Sequence, residues 1–253
     1  MTFPIYVIHY TANKKRKKFI DWQFQIEGID DYQYIEEYDK EKVTYGHYRK
    51  YFNVTESEFK QRQPRYFPWG LHNLKEEEVS LCLKHKLALE KFLKTGESYC
   101  LIFEDDVILA DNFLVKLNDY LSYIPQDWGI AFIGQAVDKR ISKEELQTQK
   151  YWYLKEDYPF DRCADSYLIT KKTATKIISF LNTRGFLLPY DHELSGILGM
   201  YKDTIKTYWL EPPLVSQGSQ CGIFESFQDV HSQYFNPEFK NIRSDTNQII
   251  SQI

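Results

Sequence analysis

Four cysteines among 253 residues are too few and too scattered for a disulfide framework. Cys82, Cys100, Cys163 and Cys221 form no C-x-x-C pair, which argues against a zinc module and leaves reduced, mostly buried thiols as the expectation. No apolar run approaches the ~18–20 residues of a membrane span. The opening Met1-Thr-Phe-Pro-Ile-Tyr-Val-Ile-His-Tyr10 makes a poor signal peptide, because its basic cluster follows the apolar run instead of preceding it. An excess of basic charge is missing too: 32 Lys and Arg face 36 Asp and Glu, for a net charge of −4, which argues against a nucleic-acid partner. Internal repeats, low-complexity tracts and linkers are absent, so one domain over residues 1–253 is expected. These absences predict a soluble, cytoplasmic protein, with any membrane contact peripheral at the inner face. The sequon Asn53-Val54-Thr55 then reads as accidental.

Aromatic area is abundant instead: 20 Tyr, 17 Phe and 5 Trp suffice, at this length, for a sizeable core. Residues 5–9 read as a short buried strand. A helix is predicted from about Asn13, with Phe19, Trp22 and Ile26 on one face and Gly28 as its stop. Its first turns carry Lys14-Lys15-Arg16-Lys17-Lys18, where the helix dipole disfavours positive charge. That cluster reads either as a solvated face or as a basic turn facing a diphosphate beyond the first strand. Residues 32–38 alternate enough for a second strand. Residues 40–75 show no clear periodicity, and long excursions of this kind are often functional. A second helix is predicted over residues 76–93, with Val79, Cys82, Leu83, Leu87 and Leu93 on one side. Tyr99-Cys-Leu-Ile-Phe103 is a continuous apolar run, as in strands buried on both faces. Asp111 is expected to cap a third helix holding Phe113, Leu114, Leu117, Leu121 and Ile124. Residues 130–133 give another buried strand, stopped by Gly134. Strands alternating with helical periods imply an α/β fold, with a mostly parallel central sheet flanked by helices.

The run over residues 99–103 ends abruptly in Glu104-Asp105-Asp106. Three carboxylates are costly if buried without compensation. At the carboxyl end of a central parallel strand, they face the crevice where open α/β sheets bind ligands. Carboxylates so placed hold hard divalent cations, which share substrate phosphates and neutralise a departing diphosphate. An ordinary acidic turn is the alternative, and the apolar run before the triplet favours metal.

Leu101-Ile-Phe-Glu-Asp-Asp-Val107 resembles the strand-plus-acidic motif of glycosyltransferase family 25, the group of lipooligosaccharide and collagen galactosyltransferases. Other segments resemble the family in the same order. They are the opening strand with Asn13 and Arg16, the stretch from Glu78 through Leu83 to His85, and Asp165-Ser-Tyr-Leu-Ile-Thr-Lys171 with Ala174 after it. Leu188-Pro-Tyr-Asp191 and Pro212-Pro-Leu-Val-Ser-Gln217 complete the set, so the resemblance spans roughly residues 3–220. Ser80, Leu81, Lys84 and Tyr190 depart from the family pattern at positions that bear on acceptor and sugar preference.

The resemblance implies a single-domain GT-A-type nucleotide-sugar transferase fold. Residues 1–135 would form the nucleotide-sugar-binding half and residues 136–253 the acceptor-binding half. It also implies inverting transfer of a hexose, galactose first, from a UDP-sugar to a saccharide, lipooligosaccharide or glycoprotein acceptor, with Mn²⁺ or Mg²⁺ assisting. Asp191 matches the family's aspartate and is the expected base for the acceptor hydroxyl. Glu193 is the alternative, and a helix cap is compatible with Asp191's role. Asp106 is the expected metal ligand. Glu104 stands either beside it on the metal or, like Asp105, nearer the nucleotide ribose. A late histidine, His231 before His192, is the candidate third ligand. His9, Arg16 and Gln217 are assigned to the donor. Trp69, His85 and His192 are assigned to the acceptor side, with Tyr66 and Trp152 as further sugar platforms, although such an aromatic cluster more often belongs to the core; for His85 a role in orienting the site or satisfying a hydrogen bond is favoured. Two other classes compete: a nucleotide-sugar- or carbohydrate-binding protein without turnover, and a metal-dependent phosphohydrolase. The intact triplet argues against the first. The lack of a second Asp and His cluster beyond Asp191-His192 argues against the second.

Overall fold

The computed structural model describes residues 3–52, 74–135, 141–147 and 150–224. The apolar runs form a seven-stranded sheet from β1 (Ile5–Ile8), β2 (Gln33–Ile35), β3 (Tyr99–Glu104), β5 (Trp128–Phe132), β7 (Trp152–Lys155), β8 (Ser166–Thr170) and β9 (Lys206–Leu210). Their order is β2-β1-β3-β8-β5-β9-β7. Three shorter strands, β4 (Val107–Leu109), β6 (Gly134–Gln135) and β10 (Val215–Gln217), make a second sheet in the order β4-β10-β6. The α-helices among the described residues are α1 (Lys14–Glu27), α2 (Tyr45–Tyr51), α3 (Glu76–Leu93), α4 (Phe113–Leu121), α5 (Lys171–Arg184) and α6 (Tyr190–Met200).

The α/β class stands, with parallel pairing in half of the large sheet's ladders instead of most. β1/β2, β1/β3 and β5/β9 are parallel; β3/β8, β5/β8 and β7/β9 are antiparallel. The reason lies between β5 and β8. Parallel neighbours need a crossover, usually a helix, and no α-helix occurs there among the described residues. The carboxyl ends of β1, β3, β5 and β9 therefore share one rim with the amino end of β8.

Side chains alternate across β3 into two cores, so the strand is buried on both faces as its apolar run predicts. Cys100 and Ile102 join Cys82 and Leu89 of α3, Ile177 of α5 and Leu194 of α6. Leu101 and Phe103 join Phe24 of α1 and Leu117 of α4. Each such side chain, fully buried, contributes about 1.5–3 kcal/mol.

Asn13 caps α1 by accepting from Arg16 N at 3.4 Å, and Gly28 ends it at φ 69°, in the left-handed region that favours glycine. The inward face of α1 is Arg16, Phe19, Ile20, Gln23 and Phe24, and Ile26 is 51% exposed. The predicted stripe through Trp22 and Ile26 is thus rotated outward. Asn112, at φ 57°, takes the N-cap position of α4 that Asp111 was expected to hold. Residues 40–52 contain α2 and a 3-10 turn, Lys40–Lys42. Tyr66, Trp69 and the sequon lie outside the described residues.

A buried ion pair ties the rim together from below. Lys84 of α3 donates to Asp39 Oδ1 at 2.7 Å and to the carbonyls of His9 and Ile35 at 2.6 and 3.4 Å. Burial lowers the Lys84 pKa, opposed by the hydrogen bond and charge of Asp39. Lys84→Met should cost about 3–5 kcal/mol, the usual result of breaking a buried pair from one side. Among the described residues it leaves Asp39 only the exposed Lys42, 3.6 Å away, as a cation. Urea denaturation checks this: the double variant Lys84→Met/Asp39→Asn should regain part of the loss, and an unchanged midpoint in the single variant contradicts the assignment.

Candidate active site

β3 ends at Glu104 and β4 begins at Val107, so Asp105 and Asp106 form the corner between the two sheets. Asp105 turns toward β1 and α1. Its Oδ2 accepts from His9 Nδ1 at 2.7 Å and from Tyr10 N at 3.1 Å, and its Oδ1 from Arg16 Nη1 at 2.9 Å. Burial pushes its pKa up, but the His9 hydrogen bond and the Arg16 guanidinium outweigh that and hold it below the ordinary carboxylate value. With both oxygens engaged, Asp105 braces the corner. Within the basic run 14–18, Arg16 alone is buried, and His9 is buried with it.

Asp106 faces the other way. Its carbonyl accepts from Gly218 N at 2.6 Å and its Oδ2 from Ser219 Oγ at 2.6 Å, with Arg16 Nη1 3.8 Å off. Its Oδ1 is buried without a hydrogen-bond partner among the described residues. Burial raises the Asp106 pKa; Arg16 pulls it down and Asp105 pushes it up again. Part-exposed Glu104 is raised well above the carboxylate range, first by burial and then by the charges of Asp106, Asp165, Asp191 and Asp105. Asp165, just before β8, is pushed up to about 7 by burial, with Ser166 lowering and Asp106 raising it. The rim thus gathers carboxylates from three separate segments.

His85 of α3 lies under this cluster. Its ring stacks on Tyr190 with centroids 3.9 Å apart and planes 7° apart. Nδ1 meets the Tyr167 hydroxyl at 3.1 Å, and Nε2 faces Glu104 Oε1 at 3.4 Å. The Tyr167 and Tyr190 hydroxyls pair at 3.0 Å. Burial lowers the His85 pKa to about 3, so the imidazole is neutral at neutral pH. The folded pKa lies below the unfolded one, so the associated stability is present above pH ~6.5 and is lost as pH falls toward about 3. His85→Phe, which keeps a stacking ring and removes the titration, should flatten the dependence of stability on pH in that window. Melting curves at several pH values decide; an unchanged slope contradicts the buried neutral histidine.

The model of glycosyltransferase family 25 (LPS biosynthesis protein) matches residues 2–194. The chain belongs to glycosyltransferase family 25. The matched stretch includes His9, Arg16, the acidic triplet, Asp165, Asp191 and Glu193. No curated protein sequence matches the chain. Among solved structures, a crystal structure of a glycosyltransferase involved in the glycosylation of the major capsid of PBCV-1 is similar at 12% identity and a TM-score of 0.39, covering 85% of this chain and 93% of that one.

In this glycosyltransferase the other sequence candidates are positioned as follows. Asp191 is half-buried in the first turn of α6, after Pro189 at the N-cap, and its Oδ1 accepts from His192 N at 2.9 Å. Glu193 Oε2 accepts from Leu187 N at 2.7 Å and Leu188 N at 3.0 Å, which commits that oxygen to the turn into α6. His192 is half-buried beside Asp191, and Gln217 ends β10 opposite Val107. Trp152 is a core residue, its indole donating to Tyr120 O at 2.7 Å, so it is not a sugar platform. His231 lies outside the described residues.

Sequence reasoning missed Asp165, Gly218 and Ser219 as site residues. Asp165 opened a segment that resembles the family, but its place at the site is readable only once the antiparallel direction of β8 is known. Whether the transferase suits a hard cation turns on donor chemistry. Among the described residues, no three His, Cys, Asp or Glu side chains group closely enough to hold a metal ion by themselves. Mg²⁺-type ions, however, are commonly held by one or two carboxylates, with substrate phosphates and water completing the shell. The bare, buried Oδ1 of Asp106 fits that pattern. No helix among the described residues is long and apolar enough to cross a membrane.

Proposed function

We propose that this family 25 glycosyltransferase is an inverting, metal-assisted enzyme that moves a hexose, galactose first, from a UDP-sugar to a hydroxyl of a saccharide or glycoconjugate. The observation that carries the reading is the rim itself, where Asp106 Oδ1 has no partner among the described residues and the charges of Asp106 and Asp191 both bear on Glu104. A divalent ion bound there supplies Lewis-acid stabilisation of the departing diphosphate. Asp106 would hold it through that oxygen. Asp105, fixed by His9 and Arg16, keeps the corner that aims Asp106, so the donor contact on this side falls to Glu104. Asp191 takes the proton of the acceptor hydroxyl as that oxygen bonds to the anomeric carbon and the bond to the diphosphate breaks. Its half-exposed place in the first turn of α6 suits a base that must meet a second substrate. Neutral His85 braces Glu104 from below.

Calorimetric titration of UDP, GDP and CMP with and without Mn²⁺, followed by a panel of UDP-sugars scored for release of UDP, tests the reading. UDP should bind tightest, and only with Mn²⁺ present. Tighter binding of GDP or CMP, or a product with retained anomeric configuration, overturns it.

A further inference from the structure

We propose that Asp165 is a second protein ligand of the cation held by Asp106, reaching it from the strand beside β3, and that Gly134 keeps the room this carboxylate needs. The inference rests on the metal-assisted reading above and extends the cation's protein ligands beyond the acidic triplet. Phe103 pairs with Ser166 across the antiparallel ladder, and Glu104 N donates to Asp165 O at 2.8 Å. Asp165 therefore enters the rim alongside the triplet, although it belongs to a different part of the chain.

The two carboxylates are prepared in the same way. Asp165 Oδ2 accepts from Ser166 Oγ at 3.0 Å, as Asp106 Oδ2 accepts from Ser219 Oγ at 2.6 Å. In each, Oδ1 is buried and has no hydrogen-bond partner among the described residues. Asp165 is 1% exposed and Asp106 2%. A buried acceptor left bare costs about 1–3 kcal/mol, and more when it is charged. Two bare oxygens at one end of β3, each on a carboxylate that engages a serine through its other oxygen, make a pair that a cation would complete.

Gly134 supplies an independent observation. It is not among the described glycines with positive φ, so its backbone does not call for glycine. Space does. A Cβ there would press into Asp165 Oδ2 and Ser166 Oγ and would lie 2.9 Å from Asp165 Oδ1. Glycine within a strand often marks such a close approach.

Mn²⁺ binding in the presence of UDP, followed by the electron paramagnetic resonance of free Mn²⁺, tests the proposal without reference to turnover. Asp165→Asn, which keeps the shape and the Ser166 hydrogen bond, should weaken Mn²⁺ binding by about tenfold or more. Gly134→Ala should weaken it as well, although every carboxylate remains. Should Asp165→Asn fail to fold, Gly134→Ala alone decides. Wild-type Mn²⁺ affinity in Asp165→Asn, or in Gly134→Ala as the sole folded variant, overturns the proposal if Asp106→Asn has lost affinity. Asp165 is then a structural carboxyl. Wild-type affinity in Asp106→Asn as well means that the cation reading itself has failed.

Discussion

Asp106→Asn should lower kcat/KM by about 10³-fold, equivalent to ~4 kcal/mol of transition-state stabilisation, while the protein remains as stable as the wild type or becomes slightly more so. The two effects separate because the carboxylate is a poor structural element. Burial raises its pKa, as does neighbouring Asp105, so the folded state carries the charge at a cost that Arg16 only partly relieves. Asparagine keeps an oxygen for Ser219 and leaves the backbone bond from Gly218 intact. It discards the charge that would hold the cation. Steady-state kinetics with a UDP-sugar and a thermal melt on the same preparation give both numbers. Full activity removes Asp106 from the metal site, and a collapsed melting temperature gives it a structural role instead.

Asp191→Asn should reduce turnover by about 10²–10⁴-fold, the usual cost of losing an acid–base group, and leave Mn²⁺ and UDP affinity unchanged. Asparagine can still accept from His192 N, so the start of α6 should survive. Glu193→Gln is the matching control. Its amide oxygen can accept from Leu187 N and Leu188 N, so the turn should hold and turnover should fall far less. Near-normal turnover in Asp191→Asn together with an inactive Glu193→Gln would hand the proton transfer to Glu193. Equal loss of UDP binding in Asp191→Asn would instead move that residue to the donor side.

The parts legible in the sequence were those fixed by local pattern. α3 has the bounds that its apolar spacing predicts, and β3 runs one residue beyond its apolar stretch, to Glu104. Gly28 stops α1 because its left-handed backbone suits glycine. Family membership was legible as well, since the ordered segments from the first strand to Asp191 fall within the stretch the family model matches. What escaped was set by pairing at long range. Strand direction leaves no trace in hydrophobic period, so the antiparallel course of β8 and the arrival of Asp165 beside Glu104 were invisible. The acidic triplet reads as three like residues, yet His9 and Arg16 occupy Asp105 while Asp106 keeps an oxygen bare. That division depends on which neighbours each side chain meets after folding.

The reversed direction of β8 also constrains how a chain of this kind can diverge. After β7 the polypeptide must travel back to the rim before β8 begins, and residues 156–165 make that return. The same few residues are fastened on the way: Phe160 N to Ser195 Oγ at 2.9 Å, Phe160 O to the Trp209 indole at 2.9 Å, and fully buried Arg162 to Leu210 O at 2.7 Å and to Glu211. The anchorage of this segment and the placement of the Asp165 carboxylate are therefore coupled. A replacement that loosened Arg162 would carry Asp165 with it.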